Sequence, residues 1–163
     1  RNIRLQASKG KFEDVDITEV VQKVHDAYIE IIANYLFGLP GDDMESMQGT
    51  LDLSFELCTS AWNAYAVMAL PGSTLYKIAR GKGVSLPKTY AGYSFFSEDT
   101  LPLPTEYLNP GEILKFRDEA FIKYHTFKPF LSRIEQKYGK VPVDNIERLT
   151  SVKLKRNIID KTA

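Results

Sequence analysis

The chain has 163 residues, 21 Lys+Arg against 21 Asp+Glu, 44% hydrophobic and 26% charged residues. That suffices for one domain with a sizeable core and leaves room for a small second subdomain, and the composition is globular rather than disordered. Zero net charge argues against nucleic acid or an anionic membrane as partner, because both attract basic surfaces.

The longest uninterrupted apolar run, Ala64 to Leu70, falls far short of the roughly 20 residues of a membrane span. Arg1 to Gly10 lacks the apolar stretch of a signal peptide. The single cysteine, Cys58, permits no internal disulfide and no cysteine metal cage, and His25 and His125 are too few for a histidine-rich site. A lone cysteine fits a reducing, cytoplasmic setting. Arg1 to Leu5 reads as the middle of an element, so a processed or cut N-terminus is expected.

Asp16-Ile17-Thr18-Glu19 has the D-x-x-E form of a capping box. Ile17, Val20, Val21, Val24, Ala27 and Tyr28 then follow helical spacing, which predicts a helix over 17–29. Glu30 to Phe37 is a short, continuous apolar run that suits a parallel strand covered on both faces. After Gly38-Leu39-Pro40-Gly41, the quartet Asp42 to Glu45 repeats the D-x-x-E cap. Met44, Met47, Leu51, Phe55 and Cys58 follow on one helical stripe. Trp62 to Leu70 reads as a second buried strand, and Pro71-Gly72-Ser73 leads into a short helix that ends near Gly81 and Gly83. Helix, strand, helix, strand, helix is the order of parallel βα units.

Residues 84–109 change character. Pro87, Pro102 and Pro104, with Pro110 just beyond, are interleaved with Tyr90, Tyr93, Phe95 and Phe96, as in an ordered loop that packs on something. Asn109-Pro110-Gly111-Glu112 caps a helix with Ile113, Phe116, Ala120, Phe121 and Tyr124 on its apolar face. Further helices are predicted from Pro129 to Tyr138, stopped by Gly139, and from Val143 to Ile158. The division expected is an α/β part over 1–83 and a loop with an all-helical extension over 84–163.

In a parallel α/β architecture ligands bind outside the carboxyl ends of the strands. Two loops stand there, Phe37 to Asp43 and Ala69 to Thr74. Each holds Pro-Gly and brings backbone amides to a helix N-terminus, which suits an anion or a polar ligand group. Each is equally a simple turn in which Asp42 or Ser73 caps the helix. Neither has the pattern of a P-loop or a dinucleotide fingerprint.

The stretch Ala33-Asn34-Tyr35-Leu36-Phe37-Gly38-Leu39-Pro40-Gly41-Asp42-Asp43, followed by Met68-Ala69-Leu70-Pro71-Gly72-Ser73-Thr74-Leu75-Tyr76, resembles the last two strands of the radical SAM partial barrel. The first piece is similar to that superfamily's fifth-strand I-x-G-L-P-G-E loop, with Asp42 for the usual Glu. The second is similar to its sixth-strand P-G-T-x-L-Y segment, with Ser73 for Thr and Thr74 shifted to the next position. Leu101 to Thr105 and Phe116 to Phe121 resemble members that carry a cobalamin-binding domain upstream. Together these pieces cover most of the chain.

The resemblance implies S-adenosylmethionine bound to a [4Fe–4S] cluster and cut to a 5′-deoxyadenosyl radical, with cobalamin in the parent enzyme. Carried over by position, the adenine side falls on Leu36, Phe37 and Gly38 of one strand and on Met68 and Ala69 of the other. Phe37 and Met68 would give apolar or edge contacts and Gly38 a close backbone approach. Alternation leaves open which of Leu36 and Phe37 faces inward. The family's three-cysteine motif and Gly-Gly-Glu segment are missing from the sequence, and Cys58 falls on the apolar stripe. The chain therefore reads as the C-terminal part of a larger enzyme, inactive alone, whose partner is the missing N-terminal half. The other reading is a self-standing α/β interaction module without catalytic activity. Neither identifies a small-molecule substrate.

The remaining polar residues have structural explanations. His25 flanks an apolar stripe, and His125 ends a helix where a cation favours the dipole. Glu98-Asp99 reads as solvated. Arg117-Asp118-Glu119 reads as a solvated helix face, or as a contact for a partner or the missing part.

If the strand around Ile32 to Phe37 lacks its upstream neighbour, it becomes an apolar sheet edge with no guarding proline or charge. Burial at about 25 cal/mol per Å² makes a few hundred Å² of such surface worth several kcal/mol. A homodimer or a swapped assembly covering the Ile32 to Phe37 edge is therefore expected. Light scattering at micromolar concentration should return twice the chain mass, and a stable compact monomer would contradict the expectation.

Overall fold

A computed structural model describes residues 14–160, so the expectation for Arg1 to Leu5 falls outside the described residues. The first helix, α1 (Ile17–Asp26), starts with the Asp16 side chain accepting from Glu19 N at 3.1 Å. Only this half of the capping box forms, and Glu19 instead pairs with Lys23 one turn on. The helix ends three residues before the sequence reading placed its end. Tyr28, at φ 60°, turns left-handed, Ile29 N bonds to Val24 O, and Tyr28 N bonds to His25 O, which is a Schellman closure with tyrosine in the usual glycine place.

Strands β1 (Ile32–Phe37) and β2 (Ala61–Ala66) pair in parallel, with Ile32 opposite Ala61 and Phe37 opposite Ala66. Between them runs α2 (Met44–Leu57), and after β2 comes α3 (Thr74–Gly81). The chain is thus a mixed α/β protein with a two-stranded parallel sheet among the described residues, in the element order the sequence predicts. The second strand stops four residues early. Val67 N still bonds to Phe37 O, but Gly38 turns away at φ 84°, so Met68 onward has no strand partner.

A single 3₁₀ turn, Tyr90–Tyr93, lies in the aromatic loop, and α4 (Pro110–His125) follows with both halves of the Asn109–Glu112 capping box. Then come α5 (Lys128–Tyr138), α6 (Lys140–Thr150) and the short α7 (Asn157–Asp160). No helix among the described residues is long and apolar enough to cross a membrane.

The main core draws on both sides of residue 83. Phe37, Met47, Leu51, Trp62, Ala64 and Ala66 pack against Ile113, Phe116, Ala120 and Tyr124 of α4, with Phe130, Ile134 and Val143 behind them. Trp62 stacks on Tyr124 at 5.0 Å between centroids, and Tyr124 on Phe55 at 5.8 Å. All of this lies on one face of the sheet. The strand expected to be covered on both faces is covered on one: on the other, Phe95 of the aromatic loop reaches Tyr65 of β2, while Ile32, Asn34 and Leu36 of β1 alternate out of the core and are exposed.

The continuous helix expected from Val143 to Ile158 is broken at Thr150, and the cause is Arg156. Its side chain is 2% exposed and drives inward. Nε donates to Asp118 Oδ2 at 2.7 Å and Nη2 to Asp118 Oδ1 at 3.0 Å, a bidentate pair. Nη1 reaches Ser97 O and Thr100 Oγ1, both at 2.8 Å, and Nη2 also reaches Phe95 O at 2.9 Å. Residues 151–156 run irregularly to deliver this guanidinium. Arg117, also buried, donates from Nε to Ala64 O of β2 at 2.8 Å and from Nη1 to Asp118 at 3.0 Å. The solvated helix face expected for Arg117 and Asp118 is therefore an interior charge network, and only Glu119 of that trio is exposed. Glu98 and Asp99 are exposed but engaged: Lys155 pairs with Glu98, and Asn157 Nδ2 donates to Asp99.

Replacing Arg156 by Ala leaves the Asp118 carboxylate and three further acceptors short of a donor, so unfolding stability should fall by about 3–5 kcal/mol. Urea denaturation measures it. Arg156→Lys should recover only part, since an ammonium cannot span a bidentate pair and two carbonyls. A loss below about 1 kcal/mol would mark the network as dispensable.

Candidate functional site

The loop after β1 is built around Asp42, which is 4% exposed. Its Oδ2 accepts from Gly38 N at 3.0 Å and Leu39 N at 2.9 Å, and its Oδ1 accepts from Ser46 Oγ at 2.8 Å. The α2 cap is therefore not the Asp42–Glu45 pair. Asp43 accepts from Ser46 N at 2.8 Å, and Ser46 Oγ accepts from Asp43 N at 3.0 Å, closing the box one residue later. Asp42 is thereby released to fold back over the loop. Two of the amides expected to face a ligand are taken by the protein's own carboxylate.

The loop after β2 is also self-contained. Ser73 caps α3 by accepting from Tyr76 N at 3.0 Å, as the sequence indicates. Val67 and Ala69 pack with Ala79 and Leu103 in a second apolar cluster, and Leu103 N bonds to Val67 O at 2.9 Å.

The five residues assigned to an adenine wall separate by side of the sheet. Leu36 stands on the bare face, 49% exposed. Phe37 is fully buried, edge-on to Phe116 at 5.1 Å. Gly38 is held close to α4: a Cβ there would meet Ile113 Cγ2 at 2.8 Å, so the close approach that glycine permits is to a helix of this chain. Met68 and Ala69 are buried under the second loop. Beside Leu36 on the bare face stand Asn34, Asn63 and Tyr65, none of them singled out by sequence. Asn34 and Asn63 are register partners, and Asn63 Nδ2 donates to Asn34 Oδ1 at 3.2 Å. Tyr65 lies opposite Leu36, with its ring 4.9 Å from that of Phe95. Asparagine is a poor strand former, and its appearance at the same depth of two apolar strands was the available signal.

On the covered side, burial sets the ionisation behaviour. The Tyr35 phenol is pushed up to about 12 by burial, with the nearby Cys58 adding to it. Burial also raises the Cys58 thiol, partly offset by Arg133, whose Nη1 donates to Cys58 O at 2.9 Å. Cys58 does not continue the helical stripe: it is the left-handed C-cap of α2 at φ 41°, packed at the core margin. His25 is lowered by burial first and then by Arg133. His125 sits among the rings of Trp62, Phe121, Tyr124 and Phe130, with Nδ1 2.8 Å from Phe121 O. Its burial lowers the imidazole pKa, which overrides the cation-at-a-helix-end explanation. Among the described residues no group of three or more His, Cys, Asp or Glu side chains could hold a metal ion.

Asp42→Ala removes the acceptor for two backbone amides and a hydroxyl at a buried position. A stability loss of roughly 2–4 kcal/mol in urea unfolding is expected. Faster hydrogen exchange at Gly38 and Leu39 should accompany it, and unchanged exchange there would disprove the loop-closing role. Comparison with protein families, with curated proteins and with solved structures finds no match to this chain.

Proposed function

We propose that the chain is the carboxyl-terminal portion of a radical SAM enzyme, supplying the last two strands of a partial (βα) barrel and the helical extension after them. One observation carries the reading. The two segments that resemble the superfamily's fifth- and sixth-strand loops leave the same, carboxyl end of two hydrogen-bonded parallel strands, with α2 and α4 on one face and the other face open except where Phe95 meets Tyr65. Helices outside and an open inner face are the arrangement of a barrel segment.

On this reading the bare face is the lumen. Leu36, at its carboxyl end, gives the apolar contact to the adenine of S-adenosylmethionine. The hydrogen-bonded amides of Asn34 and Asn63 form the polar floor below it. Phe37 and Gly38 act from behind by seating α4 against the strand end, and Met68 and Ala69 by supporting the second loop. S-adenosylmethionine, reduced by a [4Fe–4S] cluster, supplies the radical in such enzymes. With one cysteine the chain does not hold that cluster, so its ligands, like the cobalamin site, belong to the upstream part of the parent.

The test is a backbone amide NMR titration of the chain with S-adenosylmethionine and with 5′-deoxyadenosine. Roughly millimolar binding in fast exchange is expected, since the chelating iron and the amine clamp are lacking. The shifts should centre on Asn34, Leu36 and Asn63. Low-micromolar binding, or shifts that map elsewhere, would refute the site. A self-standing interaction module would leave all three amides unmoved.

A further inference from the structure

A cavity of about 480 Å³ lies between α4, the end of α6, the irregular segment 151–156 and α7. Its walls are apolar, formed by Phe96, Phe121, Ile122, Leu149, Val152 and Leu154, and Phe96, Ile122, Leu149 and Val152 are exposed despite their size. Arg117 also lines it. That side chain is 6% exposed, and its guanidinium carbon lies 6.0 Å from the Phe96 ring centroid and 5.6 Å from that of Phe121. Nε and Nη1 are engaged by Ala64 O and Asp118, while Nη2 makes no hydrogen bond among the described residues.

The charges around the cavity do not cancel. Asp118 is satisfied by Arg156 and Arg117, Glu119 pairs with Lys115, and Asp160 accepts from Arg156 N. Among the lining side chains Lys115, Arg117, Lys153 and Arg156 outnumber Asp118, Glu119 and Asp160, and Arg117 Nη2 and Lys153 have no partner among the described residues.

We propose that this cavity is a binding site for a small amphipathic carboxylate, its carboxylate on Arg117 Nη2 and its hydrocarbon body between Phe96, Phe121 and Leu149. The volume is that of a small-molecule site, and a planar guanidinium fixed by Ala64 O and Asp118 beside two rings is preorganised for a carboxylate. Arg117 Nη2, without a hydrogen bond among the described residues on a side chain otherwise held in place, is a charge-assisted donor of the kind that pairs with a carboxylate. The site does not depend on the radical SAM reading.

Calorimetry of the 163-residue chain with decanoate tests it, with decylammonium as the same tail bearing the opposite charge. One decanoate per chain is expected, with decylammonium at least about tenfold weaker. Leu149→Asp and Lys153→Glu, both at exposed positions, should each weaken decanoate about tenfold while the urea midpoint stays put. Arg117→Lys should weaken decanoate while keeping some preference over decylammonium, since the charge stays and only the guanidinium geometry is lost. Absent binding, equal binding of both tails, or decanoate binding unmoved by Leu149→Asp would overturn the proposal.

Discussion

The Arg156–Asp118 contact is the constraint on which the carboxyl-terminal half depends. A guanidinium taken fully out of water costs several kcal/mol unless every donor finds an acceptor. Here the acceptors come from three places: a carboxylate on α4, the carbonyls of Phe95 and Ser97, and the Thr100 hydroxyl. Meeting them fixes the aromatic loop against α4 and pulls the tail across both. Such a network adds little stability over a well-packed apolar substitute, but it has few alternative geometries, so it specifies one arrangement.

Helix α4 carries that arrangement to the sheet. Arg117, next in sequence to Asp118, bonds the Ala64 carbonyl in the middle of β2. One turn before Arg117, Ile113 presses on Gly38 at the end of β1, and two turns after it, Tyr124 stacks on Trp62 at the start of β2 and donates to Thr59 O. Both strand ends are thus gripped by one helix that the Arg156 network holds in place. The same turn of α4 that fixes the sheet on its inner side supplies, on its outer side, the cationic floor of the apolar cavity. Order in one requires order in the other.

What the sequence revealed and what it concealed divides by range. Capping by Asp16, Ser73 and Asn109 was legible because each donor lies three residues from its acceptor. The parallel order was legible because the elements alternate. The misplaced cap at Asp42 shows the limit of that method. Asp42 and Asp43 both satisfy a three-residue rule, and the choice falls to Asp43 because Ser46 can answer its backbone N–H. The charge network was invisible, since Arg156 and Asp118 stand 38 residues apart in sequence. A helical reading of Arg117, Asp118 and Glu119 sees only three charges in a row. The bare face was hidden for a different reason: Ile32 and Leu36 are as apolar as the residues that do pack, and no pattern says which face a chain leaves uncovered.

The self-closure of the first loop changes where a ligand could be recognised. An open loop at a helix N-terminus binds anions through its amides. Once Asp42 takes the amides of Gly38 and Leu39, a negative charge already occupies that position, and an incoming phosphate or carboxylate would be repelled rather than drawn in. Recognition at the strand ends is left to side chains on the bare face, where Leu36, Asn34, Asn63 and Tyr65 offer an apolar ridge beside a neutral amide pair. Such a surface suits a flat, uncharged heterocycle better than an anion, because the amides can both donate and accept while the ridge supplies apolar area. The proposed anion site lies around Arg117 instead. The two proposed sites would thus differ in the ligand charge they take, and the buried residues behind the difference, Asp42 and Arg117, also hold the fold together.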